Sequence, residues 1–173
     1  MSSILAERQD VDRARPRTLG LARRRPACER SRMKTSLQSG IALSFSVEIP
    51  TNKTVPHLIP EAPEFQTMPQ VLATGFMVGF VELACMKLIQ PHLDYPAEQS
   101  VGTDVRLDHT AATPPGLTVT VEARLEQVDG RKLRFSVSAH DGIDEICRGT
   151  HDRFVIDTAR FNAKVSEKVK LRR

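Results

Sequence analysis

Glu82 is the residue whose surroundings in the sequence are hardest to reconcile with its charge. It is the only charged side chain between Val71 and Met86, a segment made otherwise of apolar, glycine and threonine residues. A helix that is apolar on all sides is expected inside a core, where an isolated carboxylate costs several kcal/mol. Glu82 either lies at the edge of the helix or is satisfied by a structural hydrogen bond, or the carboxylate serves catalysis, since desolvated carboxylates concentrate at functional sites. If the charge is isolated, Glu82→Gln should leave stability level or raise it.

His109 and Thr74 are two further candidates for chemistry. His109 ends a predicted strand whose inward face carries Val101, Thr103, Val105 and Leu107. It should therefore point towards the helix, either as a satisfied core histidine or as a group at the open end of the sheet. Thr74 begins the helix, as an N-cap or at a helix N-terminus whose N–H groups stabilise an oxyanion.

The spacing of Thr74 and Glu82 limits how they act together. They are eight residues apart, so about 12 Å along an α-helix axis, and cannot touch if both are helical. They would flank an acyl group lying along the helix, or meet through a partner subunit.

The remaining polar residues give weaker signals. Arg153 is expected either to hold a phosphate or carboxylate, or to pair with Asp152 or Asp104. Four histidines are predicted to lie on the surface or in loops, namely His57, His92, His140 and His151. The chain has no phosphate-binding loop, dinucleotide-binding glycine triplet, metalloprotease motif or nucleophile elbow.

Composition limits the class of protein. The chain has 173 residues, 40% hydrophobic and 27% charged, as expected for one soluble domain with extensions. No run approaches the roughly 18–20 apolar residues that span a bilayer. The three cysteines are far apart and form neither a disulfide framework nor a zinc pattern. We therefore expect reduced thiols, a cytoplasmic location, no membrane association and no metal.

The basic charge is concentrated at the N-terminus. Residues 1–32 hold nine Arg against four acids, a net charge of +5. Because the whole chain has a net charge of +4, residues 33–173 have a net charge of −1. No basic face remains for nucleic acid. Residues 1–40 are predicted to be a disordered or non-native extension, residues 41–165 the domain and residues 166–173 a frayed basic tail. Residues 1–32 should be dispensable, because their basic residues are all Arg and they show no periodicity. Met33 resembles a start, and the four acids argue against the alternative of a transit peptide.

The pattern of elements predicts an α+β fold. A strand at 41–49 precedes a proline-rich loop at 50–70, long enough to be a lid, and a helix at 71–90 stopped by Pro91. Everything after the helix is predicted to be β, with strands at 99–110, 117–128, 131–140 and 143–157 and hairpin signals at Asp129-Gly130 and Asp141-Gly142.

One helix without a polar face must be wrapped. An antiparallel sheet with one apolar face can curl around it, which is the hotdog fold. Another α+β roll with the same element order is the alternative. A single sheet covers only one side of the helix, so a homodimer is expected.

Three stretches together resemble the fluoroacetyl-CoA thioesterase family of hotdog proteins. They are Val71-Leu-Ala-Thr74 with Glu82, the stretch from Ser100 to Gly116 that contains Gly102 and His109, and Val128-Asp-Gly-Arg131 with Gly149-Thr-His-Asp-Arg153. The similarity covers about residues 45–162. It implies a homodimer that hydrolyses acyl-CoA without a metal. It also implies Thr74, Glu82 and His109 as the catalytic set, with Gly102 and Arg153 holding the thioester.

The function predicted from these residues is hydrolysis of a small acyl-CoA. Coenzyme A would be part of the substrate, and no other cofactor is expected. Glu82 would act as a base or as a nucleophile giving an acyl anhydride, with its pKa tuned by burial, and His109 would polarise, protonate or relay a proton. The lid at 53–69 does not match a fluoroacetyl-specific gate. The alternatives are a hotdog hydratase or dehydratase, and a non-catalytic acyl-CoA-binding module.

Overall fold

Five antiparallel strands form one sheet in the computed structural model, which describes residues 33–172. They are β1 (Ala42–Glu48), β2 (Glu98–Leu107), β3 (Thr118–Asp129), β4 (Lys132–His140) and β5 (Glu145–Asp157). Their order across the sheet is β1-β3-β4-β5-β2. All five predicted strands are therefore present, and β1 and β2 form the two edges.

The long apolar helix lies against this sheet. The short helix α1 (Pro63–Gln66) is followed by α2 (Thr74–Ile89), and a 3-10 turn at Gln90–His92 contains Pro91 and ends the helical segment. The α2 side chains that face the sheet are buried with the inward residues of the strands, namely Met77, Val81, Ala84, Cys85, Leu88 and Ile89. The α+β hotdog architecture predicted from the sequence is confirmed.

The proline-rich segment before α2 is more regular than the predicted loop. It contains 3-10 turns at Thr51–Lys53 and Val55–His57 as well as α1. Its two ends are joined by a bridge between Thr54 and Leu72 and by the hydrogen bond from Val55 N to Val71 O. The segment is therefore closed on itself next to the first turn of α2.

The end of the domain is a helix, not a strand or a frayed tail. Helix α3 (Thr158–Lys170) follows β5, and the Asp157 side chain caps it by accepting from Arg160 N. The prediction that everything after α2 is β was wrong, because Asp157 is an N-cap residue that ends β5 and starts a further helix. The predictions for residues 1–32 lie outside the described residues. Within residues 33–172, no helix is long and apolar enough to cross a membrane.

Strand β2 contains an irregularity that changes which side chains face inward. The register with β5 shifts between Gly102 and Asp104. Before the shift, Gly102 lies opposite Arg153, and after it Val105 lies opposite His151. An extra residue reverses the alternation of faces, so Val101 and Thr103 do not share the inward face with Val105 and Leu107. The single uninterrupted face predicted for this strand was wrong.

Candidate active site

Thr74 is the first residue of α2 but does not cap it. The N-cap position belongs to Ala73, and no side chain caps the helix. The Thr74 hydroxyl lies 2.9 Å from Nδ1 of His109. The N-cap hypothesis is therefore wrong, and the N–H groups at the start of α2 remain uncapped by any side chain of residues 33–172.

His109 lies just beyond the end of β2 and is held there by the neighbouring strand. Asp108 N donates to Arg148 O at 3.1 Å, and Thr110 N donates to Ile146 O at 3.0 Å. These bonds anchor the backbone on both sides of the half-buried imidazole. Its Nε2 is inaccessible to solvent and has no hydrogen-bond partner among residues 33–172. The predicted inward orientation of His109 is confirmed by its contact with Thr74.

A buried carboxylate anchors the loop that carries His109. The hydroxyl of Thr113 donates to Asp141 Oδ2 at 3.0 Å, and the carbonyl of Thr113 accepts from Leu72 N at 2.8 Å. Burial opposes ionisation of Asp141, but the N–H groups of Asp144 and Ile143 and the Thr113 hydroxyl outweigh it and lower the pKa of Asp141. The Asp141 carboxylate thereby joins this loop to the β4–β5 turn, and Thr113 joins the loop to the entry of α2.

Glu82 is neither isolated nor fully buried. Its side chain is 38% exposed in the protomer, and its Oε2 lies 3.4 Å from Nη1 of Arg153. Of the alternatives for Glu82, the isolated buried carboxylate is therefore wrong, and the structure shows a partly exposed glutamate with a hydrogen-bonded partner. The opposite charge comes from β5, which the sequence places far from α2, so only the fold shows the pair. Oε1 of Glu82 faces Gly102.

Arg153 supplies the buried charge of the site. Its side chain is 2% exposed, and Nε and Nη2 donate to the hydroxyl and the carbonyl of Ser100, each at 2.9 Å. The predicted pairing with Asp152 or Asp104 is not found. Asp152 pairs with Arg134 at 2.7 Å and Asp104 pairs with Arg106 at 3.0 Å.

His151 is a member of this cluster that was predicted to lie at the surface. It is fully buried, with Nδ1 2.8 Å from Asp104 O and Nε2 2.9 Å from Nη1 of Arg153. Burial lowers the pKa of His151. The alternation of β5 was the signal that would have found it, because His151 shares a face with Arg153 and buried Val155.

Gly102 provides the space in which Glu82 and His151 approach each other. A Cβ at this position would lie 3.1 Å from Glu82 Oε1 and 3.1 Å from His151 Cε1. Any larger residue would therefore press on both side chains. The structure places Gly102 and Arg153 beside Glu82, as a shared site requires.

The predicted residues thus form two clusters, one around Thr74 at the start of α2 and one around Glu82 further along the same helix. Thr74 is hydrogen-bonded to His109, and Glu82 to Arg153. No hydrogen bond among residues 33–172 joins the two clusters, which lie about 12 Å apart along α2. Within one protomer the fold therefore does not bring Glu82 to the Thr74–His109 pair.

The two cysteines of residues 33–172, Cys85 and Cys147, are buried and poorly suited to act as nucleophiles. Burial raises the pKa of Cys85, close to Glu82 and Arg153, to about 12, and that of Cys147 to about 11. Both thiols remain protonated near neutral pH. No group of three or more His, Cys, Asp or Glu within residues 33–172 has the arrangement of a metal site.

Comparison with known proteins agrees with this architecture. A hot-dog-like protein from Thermanaerovibrio acidaminovorans superimposes with a TM-score of 0.64 over 75% of this chain and 91% of that chain, at 18% identity. The fold is therefore that of a hotdog protein.

The particular family follows from sequence. Residues 56–159 match the family described as fluoroacetyl-CoA-specific thioesterase. The fluoroacetyl-CoA thioesterase of Streptantibioticus cattleyicolor is 54% identical over 136 residues, 79% of this chain and 97% of that protein. A mutant of a fluoroacetyl-CoA-specific thioesterase, solved with fluoroacetate and CoA, is 53% identical, with a TM-score of 0.70 over 72% of this chain and 99% of that chain. The chain belongs to the fluoroacetyl-CoA-specific thioesterase family.

Proposed function

We propose that this protein hydrolyses a short acyl-CoA to the free acid and CoA. The observation that carries the proposal is the placement of a Thr74–His109 pair and an Arg153-bound Glu82 on one helix of a hotdog domain. Thr74, Glu82 and His109 are the catalytic residues, and Gly102 and Arg153 shape and charge the site. CoA is part of the substrate, and no metal or other cofactor takes part.

The start of α2 is suited to the thioester carbonyl. The first N–H groups of an α-helix have no partners within the helix, and no side chain caps them here. They carry the positive end of the helix dipole and point to where negative charge develops on the carbonyl oxygen. The Thr74 hydroxyl lies in the same turn and adds a donor that His109 orients.

Glu82 and His109 have complementary roles in proton transfer. Glu82 as a carboxylate removes a proton from water, whose oxygen bonds to the carbonyl carbon. The tetrahedral intermediate collapses by breaking the C–S bond, and the CoA thiolate receives a proton through His109. Attack by Glu82 itself would give an acyl anhydride. After a single turnover in H₂¹⁸O, label in the Glu82 carboxylate would identify the anhydride route, because direct attack of water places ¹⁸O only in the product acid.

We propose a homodimer in which the two clusters meet across the interface. Along one helix they are too far apart to act on one carbonyl, whereas a two-fold axis can place Glu82 of one subunit beside Thr74 of the other. Two exposed apolar side chains support an interface that includes α2 and edge strand β2. They are Val105 of β2, 38% exposed, and Met86 of α2, 42% exposed.

Mixed dimers test the shared site directly. A dimer of one Thr74→Ala chain and one Glu82→Gln chain contains one intact site if the clusters meet between subunits. It contains none if each subunit uses its own residues. Co-expression with two affinity tags and assay of the doubly purified dimer should recover about half of wild-type activity. Activity no higher than that of either parent homodimer would refute the shared site.

The substrate class is tested by a panel of CoA thioesters with thiol detection. Acetyl-, fluoroacetyl-, propionyl-, isobutyryl-, benzoyl- and crotonyl-CoA cover short, branched, aromatic and unsaturated acyl groups. Thiol release from short acyl groups is expected. Conversion of crotonyl-CoA to its hydrate without thiol release would instead identify a hydratase. Tight binding with no product of either kind would identify a binding module.

The buried cysteines support a reducing location. Cys85 and Cys147 are both free thiols, and disulfides are rare in the cytoplasm. We infer that the protein acts in the cytoplasm, without nucleic acid or membrane partners.

A further inference from the structure

His151 is a buried polar group that the proposed mechanism does not use. It lies on β5 opposite Val105, and its ring stacks on Phe135 of β4 with centroids 6.5 Å apart. Its two ring nitrogens are both hydrogen-bonded. A core position in a sheet is ordinarily filled by an apolar side chain, so two satisfied ring nitrogens indicate a polar task.

The hydrogen bonds determine the tautomer of His151. The guanidinium of Arg153 can only donate, so Nε2 must be the unprotonated acceptor of Nη1–H. Nδ1 therefore carries the proton and donates to the Asp104 carbonyl. That carbonyl lies directly after the register shift in β2. The irregular strand thus selects the neutral tautomer that can accept from Arg153.

Nη1 of Arg153 is the atom that His151 and Glu82 share. Nε and Nη2 are fixed on Ser100, while Nη1 bonds both His151 Nε2 at 2.9 Å and Glu82 Oε2 at 3.4 Å. Nη1 has two hydrogens. His151 takes one of them, which leaves the other for a single carboxylate oxygen and keeps Oε1 of Glu82 directed at Gly102.

We propose that His151 is a positioning residue for the Glu82 carboxylate, acting through Arg153; this rests on the proposed thioesterase function. Without the imidazole acceptor, Nη1 has a buried N–H with no partner, which is costly enough to draw the guanidinium and the carboxylate out of place. Displacement of a catalytic group by about 1 Å reduces turnover by up to about 10². His151 itself does not contact the reacting atoms.

Two substitutions separate the two hydrogen bonds of His151. The amide oxygen of His151→Gln reaches the position of Nε2 and can accept from Arg153. His151→Asn has an amide near Nδ1 and retains only the bond to Asp104. We expect kcat to fall by at least about tenfold in His151→Asn with little change in KM, and His151→Gln to stay within about threefold of wild type. His140→Asn, an exposed histidine on β4, is the matched control.

Two further measurements exclude a merely structural role. In the Glu82→Gln background, His151→Asn should cause no additional loss of residual kcat, because its effect passes through the carboxylate. Nitrogen-15 spectra of the Arg153 guanidinium should show slowly exchanging Nη1 hydrogens in wild type and His151→Gln and their loss in His151→Asn.

The outcomes are distinct for each hypothesis. Wild-type kcat in His151→Asn, or equal losses in the Asn and Gln variants, would overturn the positioning role and leave the thioesterase intact. An additional loss in the Glu82→Gln background would overturn the positioning role, because His151 would then act by a route other than the Glu82 carboxylate. A wild-type protein without thiol release that still showed the guanidinium pattern would overturn the thioesterase function, while the Arg153 network would stand.

Discussion

At the scale of single residues, the charge of Glu82 is stabilised by one buried guanidinium. Arg153 is almost inaccessible to solvent, whereas Glu82 is 38% exposed, so removing the carboxylate charge leaves the more buried partner less compensated. Loss of one member of such a pair is destabilising. The structure therefore reverses the expectation that neutralising Glu82 leaves stability level or raises it.

Glu82→Gln should fold, lose at least about 10² in kcat, and lose about 1–2 kcal/mol of unfolding free energy. Urea denaturation and thiol-release kinetics measure the two effects. Exposed Glu48 on β1 provides the control substitution Glu48→Gln, which should change neither. Unaltered activity per folded molecule would make Glu82 a structural residue.

Thr74→Ala should reduce kcat while the unfolding free energy changes by less than about 0.5 kcal/mol. The hydroxyl does not cap α2, and Ala is the better helix former, so only the bond to His109 is lost. Thr74→Ser retains the hydroxyl and serves as the control. His109→Ala should lower kcat by about 10², and the double variant should be little worse than either single one. A stability loss of about 1 kcal/mol or more in Thr74→Ala would restore the capping role.

His151 should make stability depend on pH. Burial lowers its pKa in the folded protein below the ordinary value of about 6.5, so the unfolded chain binds the proton first as pH falls. The contribution of the neutral His151 ring to the free energy of unfolding is complete above about pH 6.5 and is lost as the pH falls below it. The charged groups that act on the ring are Arg153 beside it on β5, Glu82 of α2, and Asp152 on the opposite face of β5.

Urea midpoints of wild type and His151→Gln measured from pH 8 to pH 5 test this dependence. The difference in stability between the two proteins should be constant above about pH 6.5 and move in favour of His151→Gln below it. Parallel curves over the whole range would show that His151 does not titrate differently in the folded state.

At the scale of elements, two glycines on the paired strands β2 and β5 serve different purposes. Gly102 of β2 keeps space for Glu82 and His151, while Gly149 of β5 allows close contact between the strand backbones. A Cβ on Gly149 would lie 2.0 Å from Arg106 O, a separation that backbone atoms cannot accept without moving.

Gly102→Ala should retain most of the stability of the fold but reduce kcat by about tenfold or more, because its Cβ displaces Glu82. Gly149→Ala should instead destabilise the protein by about 2–4 kcal/mol by separating β2 from β5. Thermal unfolding and kcat separate the two outcomes. Full activity in Gly102→Ala would show that the space beside Glu82 is not needed.

At the scale of the whole molecule, one sheet leaves part of α2 and the inward side of β2 uncovered. Met86 and Val105 are exposed in the protomer, and apolar patches of this kind mark interfaces. Sedimentation at micromolar concentration should therefore give the mass of a dimer. A stable monomer with full activity would contradict both the dimer and the shared active site.

The sequence by itself determined the α+β class, the five strands, the central helix and the inward position of His109. Hydrophobic periodicity, proline and Asp-Gly turns are local signals, and they reflect burial and backbone geometry directly. Helix α3 was also signalled locally, by the N-cap residue Asp157, although it was not predicted.

Only the tertiary structure decided how the site is assembled. The pairing of Glu82 with Arg153 joins residues 71 positions apart, and the hydrogen bond of His151 Nδ1 to the Asp104 carbonyl is made directly after a register shift in β2. From the sequence alone, the Thr74 hydroxyl is equally compatible with capping its helix. The tertiary structure instead places it on His109, in the loop after β2. Such contacts depend on how strands and helix pack, and the local pattern of a sequence holds no information about which distant charge, acceptor or cavity each side chain meets.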